Sequence, residues 1–211
     1  MTSTRRTTPL EVWTGTFGDA YTQRNAVDDI KIRQRIHMWR RILQPLSSGL
    51  PENCLEVGAG VGINLRALRA LHTIDIYALE PNANARSILV RDEVVPDARV
   101  INGSAECISL ADASVDLVFT SGVLVLVEPT RLEAACREMH RVSRKYILTI
   151  EYFANEPEEK TYRGETGLLF KRDFGVFWLD LFPTLSVIDY GFFWKPITGL
   201  DNLTWWLFAK S

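Results

Sequence analysis

The residues best suited to chemistry lie in LEVGAGVGINLRAL, Leu55 to Leu68, where Glu56 is followed at even spacing by Gly58, Gly60 and Gly62. Glycines at a strand-to-helix turn let the backbone approach a ligand closely, and the amides of the helix start point at it. A dinucleotide site is written GxGxxG and a P-loop GxxxxGK[ST]. Here Ile63 stands where the first pattern requires its third glycine, and no lysine follows. A carboxylate two residues ahead of Gly58 is unfavourable beside a pyrophosphate and favourable beside a cationic amine. The stretch therefore points to S-adenosylmethionine, whose sulfonium makes its methyl group transferable.

Other residues fall in order behind this turn. Glu80, followed by Pro81, ends IDIYALE about 20 residues after the glycines, where a strand-end carboxylate accepts both ribose hydroxyls. Ser104, Ala105 and Glu106 follow the next apolar run, at the expected place of the adenine, and Thr120, Ser121 and Gly122 end SVDLVFTSG at the methionine end. An NAD enzyme would also place an acid near Glu80, so the set as a whole makes the distinction.

The acceptor side is expected from an N-terminal cap and from the loops after the fourth and fifth strands. In FGDAYTQRN, Phe17 and Tyr21 lie one turn apart with Arg24 on the same face and Asn25 beside it. Phe17 and Asn25 are read as substrate contacts, Tyr21 as a cofactor and catalytic contact, and Arg24 as a fork for the cofactor's carboxylate or an acidic substrate group. Glu151 and Tyr152 end the fifth strand as candidate proton acceptors, and Tyr162 and Arg163 lie in a polar segment able to fold over as a lid.

The elements that position these residues can be read from alternation. Short apolar runs (CLEVGAG, IDIYALE, ARVING, SVDLVFTSG, KYILTIEYF) alternate with helical stretches (NLRALRAL, Ala83 to Arg91, Leu132 to Val142). That pattern specifies a parallel sheet with helices on both faces and right-handed crossovers. Thr130 and Glu133 fit an [ST]xxE capping box at the start of the last helix. Residues 1–9 read as a disordered tail and 10–49 as a helical cap. Residues 50–153 read as a cofactor-binding core, and 154–211 as a lid and a C-terminal hairpin of LSVIDYGFFW with LTWWLFAK, all within one domain. Ile32, Ile36, Trp39 and Leu43 form the apolar stripe of one cap helix, leaving Arg33, Arg35, Arg40 and Arg41 on a solvated face.

Composition narrows the function. A formal net charge of −2 over 211 residues gives no electrostatic footprint for nucleic acid or an anionic membrane. The aromatics near the end (Phe192, Phe193, Trp194, Trp205, Trp206, Phe208) lack interleaved basic residues and read as core rather than base-stacking. No apolar run approaches a membrane span, and MTSTRRTTP has no secretory h-region. Cys54, Cys107 and Cys136 are widely spaced and read as reduced and buried. His37, His72 and His140 sit away from the strand tips, so no metal is expected. A cytoplasmic monomer or homodimer acting on a small molecule is the expectation.

The run Glu56-Val57-Gly58-Ala59-Gly60-Val61-Gly62 resembles the first motif of the class I S-adenosylmethionine-dependent methyltransferases, a likeness extending over about Asn53 to Phe153. It implies a Rossmann-like α/β fold with a mostly parallel seven-stranded sheet, and S-adenosyl-L-methionine as cofactor. WTGTFGDAYTQRN, YRGETGLLFKRDF and the two C-terminal runs are similar to the pseudaminic acid biosynthesis-associated methylases, which implies a biosynthetic role. Three activities fit these residues: methyl transfer to the O or N of a small polar metabolite, cleavage of the aminocarboxypropyl C–S bond releasing methylthioadenosine, and binding without catalysis.

Overall fold

The computed structural model describes residues 8–46 and 49–210. The chain opens with three helices, α1 (Pro9–Thr14), α2 (Thr16–Arg24) and α3 (Asp29–Leu43). Thr8 caps α1 in a full capping box with Glu11, and Pro9 occupies its first turn, where a missing N–H costs nothing. Pro9 thus belongs to a helix rather than to the expected tail, whose residues 1–7 lie outside the described residues.

The core follows as β1 (Asn53–Val57), α4 (Ile63–Leu71), β2 (Asp75–Leu79), α5 (Ala83–Arg91), β3 (Val100–Ile101), β4 (Val115–Ser121), α6 (Pro129–Val142) and β5 (Ser143–Glu151). A ribbon of β6 (Glu158–Tyr162) and β7 (Glu165–Lys171) comes next, then α7 (Phe174–Leu181), β8 (Ser186–Phe193), the short α8 (Lys195–Thr198) and β9 (Leu203–Ala209). The main sheet has seven strands in the order β3-β2-β1-β4-β5-β9-β8. Neighbours from β3 to β5 are parallel, while β9 runs antiparallel to both β5 and β8. This is the mostly parallel, seven-stranded Rossmann-like arrangement expected, and the C-terminal runs do form its antiparallel pair.

Side chains alternate across the sheet into two cores. Cys54, Leu117 and Phe119 face Met38, Trp39 and Leu65 from α3 and α4, while Leu55, Val57 and Val118 face Cys136 and Met139 of α6 and Trp178 of α7. The buried positions of α3 are Met38, Trp39, Ile42 and Leu43. The apolar stripe is therefore rotated from the expected one, and it turns Arg35 inward. Arg33, Arg40 and Arg41 remain exposed, Arg41 pairing with Asp189 at 2.7 Å.

Two further expectations are revised, and the polar segment takes a definite form. α6 begins at Pro129 with Glu128 as its N-cap and no side-chain cap bond, so Thr130 lies inside the helix and Glu133 instead pairs with Arg137 at 2.8 Å. Proline's preference for the first helical position sets this start. Cys107 is exposed, whereas Cys54 and Cys136 are buried. The polar segment is a hairpin whose turn residues, Arg163 and Gly164, both have positive φ (53° and 88°), the requirement of a type I′ turn.

Candidate active site

The strand order reverses between β1 and β4, since β1 continues to β2 on one side and β4 to β5 on the other. Ligands of open α/β sheets bind at the carboxyl edge of such a point. A cleft opens there, lined by Trp13, Tyr21, Gly58, Gly60, Glu80 and Pro81, with Ser104, Ala105, Glu106, Ser121 and Gly122 also on its walls. Ten of the sequence-predicted residues thus meet in one place.

The glycine loop is held by its own amides. Gly58 and Ala59 donate to the Leu79 carbonyl at 2.8 and 3.1 Å, Gly62 donates to the Ala59 carbonyl at 2.9 Å, and Gly60 donates to Glu80 Oε2 at 2.7 Å. Amides engaged in this way are not free to cradle a phosphate, which argues against a nucleotide pyrophosphate. All three glycines have positive φ (75°, 53° and 76°), but their surroundings differ. A Cβ on Gly58 would stand 2.5 Å from Val123 Cγ2, and one on Gly62 2.7 Å from Leu89 Cδ2, whereas one on Gly60 would meet no protein atom within 4 Å. Gly60 alone presents its open side to the cleft; Gly62 caps α4 and serves packing.

Glu80 is 7% exposed and accepts from the amides of Gly60 (2.7 Å) and Asn82 (2.8 Å). A carboxylate has about four acceptor positions, so about two remain for ligand hydroxyls. Burial raises its pKa, and the two amide bonds act against that rise. Trp13 lines the same cleft, and its indole Nε1 is buried without a partner. An unpaired donor, a carboxylate with spare acceptors and an open glycine fit the ribose, adenine and amino-acid parts of S-adenosylmethionine. Glu106 stands at the rim, paired with Arg131 at 3.1 Å.

Several predicted residues lie elsewhere. Glu56 is 2% exposed and turned behind the loop, where Oε1 accepts from Asn64 Nδ2 at 2.6 Å and Oε2 has no partner. Burial pushes its carboxyl up to about 8, so it does not present the negative charge to the cleft that its position in the sequence suggested. Thr120 is buried against Thr149 at 3.2 Å. Arg24 is exposed, with its guanidinium 5.9 Å from the Phe17 ring, and Asn25 donates to the Tyr21 carbonyl at 3.0 Å.

Phe17, Tyr21 and Tyr162 gather around Trp13. Ring centroids stand 5.3 Å from Trp13 to Phe17, 5.1 Å to Tyr21 and 6.4 Å to Tyr162. The ribbon thereby rests on the cap through Tyr162, while Arg163 stays at its turn, 5.8 Å over the Tyr162 ring. Burial and the neighbouring Tyr162 raise the pKa of Tyr21, which keeps its phenol protonated.

Glu151 and Tyr152 are engaged away from the cleft. Glu151 is fully buried and accepts from the amides of Val123 (3.2 Å), Leu124 (3.1 Å) and Val125 (3.4 Å). It anchors the turn after β4, so it acts as a positioning residue for Ser121, Gly122 and Val123, which line the cleft. Tyr152 donates to Asp201 Oδ2 at 2.9 Å, and its pKa is raised by burial first and by that bond second.

Residues that sequence reasoning left unassigned complete the site. Asn82 caps α5 through Ala85 (2.9 Å) and donates to Asp19 Oδ1 (2.9 Å), tying the cap to the core. An Asn just before a helical stretch is an N-cap signal, but its tie to α2 is tertiary. Trp13 stood in the quoted cap segment without a role. Among the described residues no group of three or more His, Cys, Asp or Glu is placed to hold a metal, and no helix is long and apolar enough to cross a membrane.

The buried acids make a pH prediction. Burial raises Glu56 to about 8 and Glu151 to about 7 from an ordinary 4.5, so between those values the folded protein retains protons that the unfolded chain has released. Raising the pH across that window therefore costs stability. His140, lowered to about 4 from 6.5 by burial, works in the opposite direction only below 6.5. The melting temperature should fall as the pH rises from about 6.5 to about 8, and Glu56→Gln should flatten part of that fall. Thermal melts in a buffer series test this, and a level or rising profile would count against neutral buried acids.

Comparison with known families decides what kind of site this is. The family model described as "Methyltransferase domain" matches residues 55–146. Those residues form a methyltransferase domain. The match runs from β1 into β5 and takes in the glycine loop, Glu80 and the turn after β4. Among solved structures, the chain is similar to the Burkholderia thailandensis 1,6-didemethyltoxoflavin-N1-methyltransferase, crystallised with 1,6-didemethyltoxoflavin and S-adenosylhomocysteine (16% identity, 99% of this chain, 93% of that one, TM-score 0.69). It is also similar to a magnesium protoporphyrin IX methyltransferase of Synechocystis PCC 6803 with bound S-adenosylmethionine (12% identity, 99% and 100%, TM-score 0.66). A Leishmania major S-adenosylmethionine-dependent methyltransferase gives 16% identity, 97% and 86% coverage and a TM-score of 0.70. No curated protein matches. At these identities the likenesses establish the fold, and they extend it beyond the methyltransferase domain to the cap and the C-terminal strands.

Proposed function

We propose that this chain transfers a methyl group from S-adenosylmethionine to an oxygen or nitrogen of a small polar metabolite in a biosynthetic pathway. The observation that carries the reading is the cleft at the β1/β4 reversal, where the open face of Gly60, the spare acceptors of Glu80 and the unpaired Trp13 indole converge. A small acceptor is favoured because the cap is short and the cleft wall carries Trp13 and Tyr21, with Phe17 and Tyr162 packed against Trp13. The structural neighbours whose small-molecule ligand or substrate is named are of the same kind. The narrower likeness to pseudaminic acid biosynthesis-associated methylases supports a biosynthetic setting.

S-adenosylmethionine supplies a methyl group on a sulfonium that is already a good leaving group. The protein's task is to align the nucleophile and exclude water. Trp13, Phe17 and Tyr162 provide the apolar cover. Tyr21 lines the cleft with a phenol that stays protonated, which suits it to orient the acceptor by hydrogen bonding rather than to remove its proton. Glu151 holds the β4 turn at the correct depth.

The test is incubation of purified protein with S-adenosylmethionine, alone and with a panel of small hydroxyl and amine acceptors. Formation of S-adenosylhomocysteine that depends on an acceptor is the expected result. Release of methylthioadenosine without an acceptor, or tight binding with no product of either kind, would overturn the proposal.

A further inference from the structure

Part of the cofactor cleft is walled by residues to which the cofactor assigns no role. The first turn of α1 contributes Pro9 and Leu10, and the connection from β4 to α6 contributes Leu126, Val127 and Glu128. These are the cap and the loop after the fourth strand, the places from which an acceptor side is expected. Four of the five residues are apolar, and Trp13 stands one turn after Leu10 on the same wall.

Glu128 is the exception. It is partly buried and precedes Pro129 as the N-cap of α6, yet its side chain makes no bond to the helix. Its backbone carbonyl accepts from the Arg131 amide at 2.8 Å, which fixes the turn. The carboxylate itself has no hydrogen bond or ion pair among the described residues.

The charges along the cleft show what such a group would attract. Three carboxylates line it, Glu80, Glu106 and Glu128, against one cation, Arg131. Arg131 is taken up by Glu106 at 3.1 Å. S-adenosylmethionine brings a sulfonium and an ammonium against one carboxylate, and this excess of positive charge offsets Glu80. Glu128 is the charge left over. Neither Arg24 nor Arg35 lines the cleft. Behind Val127 a smaller cavity of about 220 Å³ holds Lys171 and Arg172 together with Glu158 and Glu159, so it supplies no surplus cation. A carboxylate partly withdrawn from water without a counter-charge favours a cationic ligand.

We propose that the methyl acceptor carries a positively charged amine held by Glu128, with its apolar part against Leu10, Leu126 and Val127. This rests on the methyl-transfer reading. It names the substrate class, a small amphipathic cation, and assigns Glu128 as the residue that selects it. The ammonium is the anchor and has no lone pair, so the methyl group goes to another oxygen or nitrogen of the same molecule.

Calorimetric titration of the full chain saturated with S-adenosylhomocysteine tests it. The probes are tyramine and hexylamine as cations, tyrosol and hexanol as their neutral counterparts, and 4-hydroxyphenylacetate and hexanoate as anions. At least one cation should bind roughly 5-fold or more tightly than its neutral counterpart, and the matching anion should bind more weakly than both. Glu128→Gln should remove that preference, and Glu128→Asp should keep part of it. Leu10→Ala should weaken cation and neutral probe alike and leave their ratio unchanged, because it removes only apolar contact. S-adenosylhomocysteine affinity should stay within about twofold in Glu128→Gln, since no cofactor contact is lost. The proposal is overturned if neither cation outbinds its neutral counterpart, or if the preference survives in Glu128→Gln. It is also overturned if Glu128→Gln weakens S-adenosylhomocysteine and adenosine together, because Glu128 would then hold the cofactor. A chain that binds no S-adenosylhomocysteine overturns the methyl-transfer reading itself, whereas one that binds it and prefers neither cation overturns the acceptor class alone.

Discussion

Glu80→Ala is expected to weaken S-adenosylhomocysteine binding by about 1 to 3 kcal/mol, the range for losing hydrogen bonds to a charged group. The carboxylate has two tasks in the structure. It accepts the amides of Gly60 and Asn82, which fixes the glycine loop against the start of α5, and it keeps its other acceptor positions toward the cleft. Alanine removes the ligand contacts and leaves two nearly buried amides without an acceptor, so the loop should also lose rigidity. Glu80→Gln retains the shape but exchanges one oxygen for a donor that opposes an amide or a ligand hydroxyl. It should therefore fall between the parent and the alanine variant. Calorimetry with a parallel thermal melt separates loss of binding from loss of fold. An unchanged dissociation constant for Glu80→Ala would show that the ribose is held elsewhere.

The same carboxylate shows how far sequence reading reaches. Glu80 could be placed at the tip of β2 because local pattern fixes where a strand ends, and the glycines could be placed at the turn after β1 for the same reason. Neither reading revealed what surrounds these residues. Glu56 sits on the face of β1 that packs on α4, where Asn64 holds it, and so it faces away from the cleft. Glu151 ends its strand as expected, but the turn after β4 brings three amides to its carboxylate. In α3 the expected stripe of Ile32, Ile36, Trp39 and Leu43 shares only Trp39 and Leu43 with the buried positions Met38, Trp39, Ile42 and Leu43, and this rotation leaves Arg35 half-buried. The β8/β9 pair was legible because KPITGLDN is rich in turn formers, whereas the start of α6 was misjudged because proline sets the first turn ahead of Thr130. Local backbone preferences were therefore readable, while side-chain partners from distant segments were not.

Those distant partners separate the three glycines in a measurable way. Gly60→Val should reduce S-adenosylhomocysteine affinity by roughly 100-fold or more, since its new side chain enters space that no protein atom fills, at a cost of about 1–2 kcal/mol for the left-handed backbone. Gly62→Val carries the same backbone cost but drives its side chain into Leu89 (2.7 Å) and Val94 (2.9 Å), so overpacking adds about 1–3 kcal/mol and the melting temperature should drop further. The ordering of the two variants is the informative quantity: Gly60→Val weaker in binding and nearer the parent in stability, Gly62→Val less stable. A Gly60→Val protein that binds normally would mean that no ligand lies against the glycine turn. If both variants unfolded to the same degree, Gly60 would be as tightly packed as Gly62, and the cleft would lose the open wall on which the methyl-donor site depends.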